Sequence, residues 1–224
     1  MRSETSSSRR PAAQGFYNRV VKRLLDLLIA LFVLLLFFPL LLLIALAVRL
    51  DSTGPALFRQ ERLGRNGKTF QICKFRTMVV NAEHTGSGVY SNDADPRQTR
   101  VGRFLRKTSL DELPQVVWNV LRGEMSLIGP RPPLTYHPWP LEAYTPEQRR
   151  MFEVRPGLTG WAQIHGRKGV EWNERIRLNV WYVDHVSFPL DIKIFFKTIG
   201  KVFSNADNEN MGATVARKDE EAKV

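Results

Sequence analysis

The sequence predicts an α+β fold, mostly helical, with a small antiparallel sheet and an N-terminal re-entrant membrane helix. Three observations lead there. An apolar run covers residues 27–48, interrupted only by Pro39. Two short segments, 56–62 and 70–76, flank the turn-forming Gly64-Arg-Asn-Gly67 and read as a β-hairpin. Further on, apolar residues recur at helical spacing, first at Leu113, Val116, Val117 and Val120, then at Trp172, Ile176, Val180 and Val183.

The 224 residues carry 33 Lys and Arg against 22 Asp and Glu, a formal net charge of +11. A chain of this length has room for a core. Its charge favours anionic partners: nucleic acid, phospholipid headgroups or phosphorylated substrates. No recognised nucleic-acid motif accompanies the charge, so nucleic acid is set aside. Cys73 is the only cysteine, which excludes an intramolecular disulfide and a cysteine-based zinc site. It reads as a small buried hydrophobe in a strand. His84, His137, His165 and His185 have no ligand spacing and read as structural or solvated.

Taken in order, residues 1–15 are rich in Ser and Arg and read as a disordered basic tail. Residues 16–50 form the membrane segment. Pro39 divides it into pieces of about 12 and 9 residues, each too short to cross ~30 Å of hydrocarbon at ~1.5 Å per residue. Arg19, Lys22 and Arg23 precede the run and Arg49, Arg59 and Arg62 follow it. Both flanks are basic, which favours both ends in the cytoplasm. A kinked span is the alternative. A signal peptide fits less well, because the run exceeds the usual ~7–15 apolar residues.

Residues 51–203 form the cytoplasmic domain. Gly67-Lys68-Thr69 imitates the end of a P-loop, but Arg62 stands where the first glycine belongs. Residues 81–98 are a polar loop whose Asp93 and Asp95 lack EF-hand spacing and read as solvated. Thr145-Pro-Glu-Gln148 is a helix start with Thr as N-cap and Pro at N1. Gly157, Gly160 and Gly166 leave little room for regular structure; they either admit a ligand close to the backbone or simply pack. Residues 171–185 and 187–203 read as helices. The second carries Lys193, Lys197 and Lys201 on one side and suits either a membrane surface or an ordinary protein surface. Residues 204–224 read as a disordered tail.

The chemistry centres on Thr108 to Pro132. Pro114 is tolerated only in a first helical turn, so a helix should begin near Asp111. Asp111 and Glu112 then sit at its positive end, which also suits phosphate. The same residues allow a capping box, Ser109-x-x-Glu112. Gly123 ends the helix, and Gly-Pro-Arg-Pro holds Arg131 on a stiff turn suited to bidentate phosphate recognition. Arg103, Arg106 and Lys107 lie just before it and, taken by themselves, read as an exposed basic face.

Four blocks in order carry a resemblance: Lys74-Phe-Arg-Thr-Met78, Asp111-Glu-Leu-Pro-Gln115, Met125-Ser-Leu-Ile-Gly-Pro-Arg-Pro132 and Arg155-Pro-Gly-Leu-Thr-Gly-Trp-Ala-Gln163. With them the chain resembles the bacterial monotopic phosphoglycosyl transferases over roughly residues 22–202. The resemblance implies transfer of a sugar-1-phosphate from a UDP-sugar to polyprenyl (undecaprenyl) phosphate, the first membrane step of exopolysaccharide, O-antigen or glycoprotein glycan assembly. Asp111 would be the nucleophile, forming a covalent phosphosugar intermediate, and Glu112 would hold Mg²⁺. Lys74, Arg76, Arg106, Arg131, Arg155, Gln163 and Asp184 are the implied substrate and phosphate contacts. Family members use a helix-break-helix at a proline usually preceded by Ser, where this chain has Phe38. The implied location is the bacterial cytoplasmic membrane, with the domain on its cytoplasmic face and anionic lipid beside it; a homodimer is left open. The rival reading is a non-catalytic, membrane-anchored basic module that binds anionic lipid. Asp111 and Glu112 discriminate, since such a module needs no paired carboxylates within its basic surface.

Overall fold

The computed structural model describes residues 12–85, 95–165 and 171–204. Its frame is one long helix, with the second strand of the hairpin and the segments at 100–128 packed along it. A π-helical turn, Tyr17–Val21, leads into α1, Lys22–Asp51. The helix is long and apolar enough to cross a membrane. One face is buried at both ends, by Lys22, Asp26 and Ala30 in the first half and by Ile44 and Val48 in the second. Its middle is exposed and apolar, with Leu35 at 72 %. The break expected at Pro39 is not seen: α1 continues through it. Proline removes one backbone bond without unwinding a helix whose other turns remain paired.

The hairpin is present. Strands β1, Leu57–Leu63, and β2, Thr69–Phe75, pair antiparallel with Arg59 opposite Cys73. Cys73 is buried. Helix α2, Arg100–Thr108, is capped by Thr99 Oγ1, which accepts from the Gly102 N–H at 2.9 Å. It ends at Ser109, whose φ of 57° is left-handed. A single 3₁₀ turn, Leu110–Glu112, then leads into α3, Leu113–Arg122. The α-helix thus begins two residues after Asp111, and Ser109 closes α2 without a side-chain cap on α3. Gly123 ends α3 at φ 81°, a conformation that favours glycine.

A second sheet was not expected. Strand β3, Ser126–Ile128, pairs parallel with β4, Gly157–Thr159. The backbones meet so closely that a Cβ on Gly157 would lie 2.1 Å from Gly129 N. One-turn helices α4, Pro146–Arg149, and α5, Trp161–Ile164, flank this pair. The Thr145 capping box is complete, with both reciprocal bonds formed. Helices α6, Trp172–His185, and α7, Phe188–Ser204, finish the domain.

Two corrections concern segments read as unstructured. Ala12–Gln14 form a 3₁₀ turn, and Ala13 is buried against Tyr182 and Val183. Residues 1–11 and 205–224 lie outside the described residues, as does Asp93. Asp95 is not solvated: it is buried, and its carboxylate accepts from the Arg97 guanidinium at 2.6 and 2.9 Å.

Two local cores hold the frame to the domain. Ala30 packs with Ile72, Val120 and Met125, and Ile44 and Val48 with Phe75 and Leu105. Polar ties reinforce both ends of α1. Lys22 donates to Asp191 at 2.5 Å and Asp26 accepts from the Leu127 N–H at 3.0 Å. At the other end Asp51 accepts from the Val101 N–H at 2.9 Å.

Candidate active site

Asp111 and Glu112 stand side by side in the 3₁₀ turn, at the corner where α2 hands over to α3. Cations reach this corner from three directions. Lys74 comes from the end of β2, Arg106 from the last turn of α2 and Arg131 from the turn after β3. Lys74 Nζ lies 2.6 Å from Glu112 Oε1, and Arg131 Nη2 lies 3.8 Å from the same oxygen. Asp111 makes no salt bridge among the described residues.

Burial raises the Asp111 carboxyl above its ordinary range; Lys74 and Arg106 oppose this, and Glu112 adds to it. The positive helix end was expected to keep Asp111 ionised. Burial and the neighbouring carboxylate outweigh that effect, because two adjacent acids disfavour a second negative charge. Glu112 is paired with Lys74.

No group of three or more His, Cys, Asp or Glu residues converges among the described residues. The protein offers two adjacent carboxylates. That donor set fits Mg²⁺ in its usual mode, in which one or two carboxylates and substrate phosphate oxygens share the ion.

The other expected contacts divide sharply. Arg76 is only 4 % exposed and donates to the Thr53, Ser52 and Val48 carbonyls at 2.5, 2.8 and 3.3 Å. It closes the end of α1 and does not face the carboxylates. Arg155 donates through Nε to the Gly123 carbonyl at 2.9 Å, at the opposite end of α3 from Asp111. Asp184 pairs with Arg150 on the far side of α6 from the core. Gln163 is buried beside Arg131, in a groove rather than at the carboxylates.

That groove was not anticipated. Arg62, Arg131 and Arg175 line it with Trp172, Tyr144 and Asn179. Burial, with Arg131 close by, pushes the Arg62 guanidinium down to about 10. Arg175 is likewise lowered by burial and by Arg131. One signal was available in the sequence: Asn179 interrupts the apolar stripe of α6 between Ile176 and Val180, and an amide there is buried on the core side.

A model of the family described as bacterial sugar transferase matches residues 17–205. The chain is 45% identical over 183 residues to an uncharacterized sugar transferase, EpsL, of Bacillus subtilis, covering 82% of this chain and 87% of that one. It is 48% identical to a UDP-glucose:undecaprenyl-phosphate glucose-1-phosphate transferase of Caulobacter vibrioides, over 80% of this chain and 68% of the relative. To the protein of the same description from Escherichia coli it is 44% identical, over 84% of this chain but only 41% of the relative's length.

Proposed function

The chain belongs to the bacterial sugar transferase family, and from that premise we propose that it moves a sugar-1-phosphate from a UDP-sugar to polyprenyl phosphate. In the first step an Asp111 carboxylate oxygen attacks the phosphorus that carries the sugar. The bond from that phosphorus to the bridging oxygen breaks, and UMP leaves with the electron pair. The product is an acyl phosphate on Asp111. In the second step an oxygen of polyprenyl phosphate attacks the same phosphorus and displaces the Asp111 carboxylate, giving a polyprenyl diphosphate sugar. Relatives described as glucose-1-phosphate or galactose phosphotransferases acting on undecaprenyl phosphate support this reaction class.

The observation that carries the reading is a half-buried Asp111 with Lys74 and Arg106 close to it and Lys74 and Arg131 on the adjacent Glu112. Phosphoryl transfer needs positioning and charge neutralisation more than covalent ingenuity. Lys74 and Arg131 hold Glu112 in place, and with Arg106 they present positive charge to phosphate oxygens. Mg²⁺ held by Glu112 would neutralise charge on the diphosphate. Intact-protein mass spectrometry with UDP-sugar alone tests the scheme. A phosphosugar adduct on the wild type, lost in Asp111→Asn, is the expected result; turnover by Asp111→Asn with no adduct on either protein would end it.

We place α1 in the cytoplasmic membrane as a re-entrant element, with the domain on the cytoplasmic face. Support comes from its two ends, both tied to the same globular body, and from its exposed apolar middle. A span would carry one end away from that body. Pro39 leaves the Leu35 carbonyl without its helical donor, a weak point at which the helix could bend in a bilayer. With Cys73→Ser, single cysteines at Ser8 and Thr53 should both resist a membrane-impermeant thiol reagent in intact cells. Labelling of the Ser8 site alone would establish a span.

A further inference from the structure

The groove beside Arg131 is a partly open cleft of about 540 Å³, open solvent included. Among the described residues no carboxylate lines it, whereas three arginines do. Its neutral walls are more informative. Tyr144 Oη, Gln163 Oε1 and Asn179 Oδ1 are buried there without a hydrogen-bond partner, and so is Arg62 Nε. Tyr144, Gln163 and Asn179 are 3, 8 and 4 % exposed. Buried polar atoms are paired in the great majority of cases. Four unpaired ones along a single groove describe a surface whose partners arrive with a ligand.

We propose that this groove seats the nucleoside monophosphate half of the donor, the group that departs in the first step; the inference rests on the phosphoglycosyl transfer proposed above. The chemistry selects that half over the sugar. A nucleophile and its leaving group lie in line on opposite sides of phosphorus. The leaving oxygen gains negative charge as its bond breaks, so it needs cations that are not those of the nucleophile. Arg131 borders both places, 3.8 Å from Glu112 and on the wall of the groove. Arg62 and Arg175 continue the positive charge away from Asp111. The sugar is uncharged and has no use for three arginines. A nucleoside supplies the hydroxyl and imide N–H donors that Gln163 Oε1 and Asn179 Oδ1 lack. Trp172, over which the Arg175 guanidinium lies at 5.0 Å, gives the groove an aromatic wall.

Calorimetric titration of the full chain in detergent with UMP, glucose 1-phosphate and inorganic phosphate tests this. UMP should bind at least tenfold more tightly than the other two. Asn179→Leu and Arg175→Gln should each weaken UMP binding roughly tenfold, with glucose 1-phosphate affected less. Asn179→Leu keeps the branched shape, at somewhat larger volume, and removes an unpaired atom, and Arg175 is half-buried on the same helix, so thermal midpoints identify a variant that has not folded. Folded variants that bind UMP like the wild type would overturn the proposal. So would UMP binding no tighter than inorganic phosphate, or a loss confined to glucose 1-phosphate, which would assign the groove to the sugar. Absence of any phosphosugar adduct on Asp111 overturns the transfer reaction instead and leaves the UMP titration standing on its own.

Discussion

The two ends of α3 use the same residue type for opposite purposes. At the C-terminal end Arg23 donates to the Val120 and Leu121 carbonyls at 2.6 and 3.1 Å, and Arg155 donates to the Gly123 carbonyl. These arginines are consumed by the negative end of the helix and by carbonyls that no following turn can satisfy. At the N-terminal end, about 15 Å away at ~1.5 Å per residue, Arg106 and Arg131 face carboxylates instead. Only Glu112 draws Arg131, and only loosely at 3.8 Å. Arginine beside carbonyls is structure; arginine beside these carboxylates is, in the transfer proposed above, the one that would meet phosphate. The helix polarity, not the residue, makes the difference.

The sharpest way to break this contrast is at the N-terminal end. Asp111→Asn should lower transfer by roughly 10⁴-fold or more, as loss of a covalent nucleophile does. It should also raise the thermal midpoint at neutral pH, because the folded state no longer buries that charge. The sign follows from the raised carboxyl. Folded protein holds the Asp111 proton more tightly than unfolded protein. Wild-type stability therefore falls with rising pH between the ordinary value of 3.8 and the raised one. The Asn variant should lack that segment of the pH–stability curve. Activity should fall on the acid side at a pH above that of an exposed aspartate, since the attacking oxygen must be ionised. A variant that is inactive and also less stable than wild type at every pH would contradict the buried-charge account.

Next in size is Arg131→Gln. It should reduce transfer by about 10²–10³-fold, the scale of removing one preorganised charge contact, while the thermal midpoint stays within about 1 °C. Arg76→Gln should do the reverse. Three carbonyls lose a charged donor that is 4 % exposed, at a cost of about 3 kcal/mol. The donor KM should move less than twofold in the fraction that remains folded. Arg155→Gln should cost about 1 kcal/mol by the same mechanism. Equal losses of donor affinity in Arg131→Gln and Arg155→Gln would erase the distinction between the two ends.

This contrast also explains what could be read beforehand. The hairpin, the α6 and α7 helices and the Thr145 cap were legible because each rests on local rules of spacing and capping. Asp111 and Glu112 were legible because Pro114 fixes where a helix can start. Arg76 and Arg155 bond to backbone carbonyls rather than face the carboxylates for a physical reason: phosphate and a helix's terminal carbonyls ask for the same donors, and only the fold says which is nearby. The groove was hidden for a related reason. Arg62, Asn179 and Tyr144 come from β1, α6 and the segment before α4, and nothing in their spacing says that they meet. The parallel pair β3–β4 was missed because each strand has three residues, too few for a period of two to show.

The smallest expected effect lies away from both ends, on α7. The helix buries Asp191 and Ile194 in the domain and exposes Phe188, Ile192, Phe195 and Phe196, the last at 64 %. Lys193 and Lys197 are exposed on the same helix, and Lys193 sits 5.6 Å above the Trp161 ring. Aromatic and apolar side chains flanked by lysines suit the headgroup layer. An ordinary surface helix would not leave four large apolar side chains in water. With α1 in the membrane as proposed above, the lysines would adjust only how closely α7 approaches it, at about 1 kcal/mol per charge near an anionic surface. With Cys73→Ser, a fluorescent label on a cysteine at Phe196 should be quenched by nitroxide-bearing lipid. Replacing Lys193, Lys197 and Lys201 with Gln should reduce that quenching in anionic bilayers to the level seen in neutral ones, and alter transfer less than twofold. A label that the lipid quencher never reaches, in wild type and variant alike, would return α7 to the role of a helix that only covers the core.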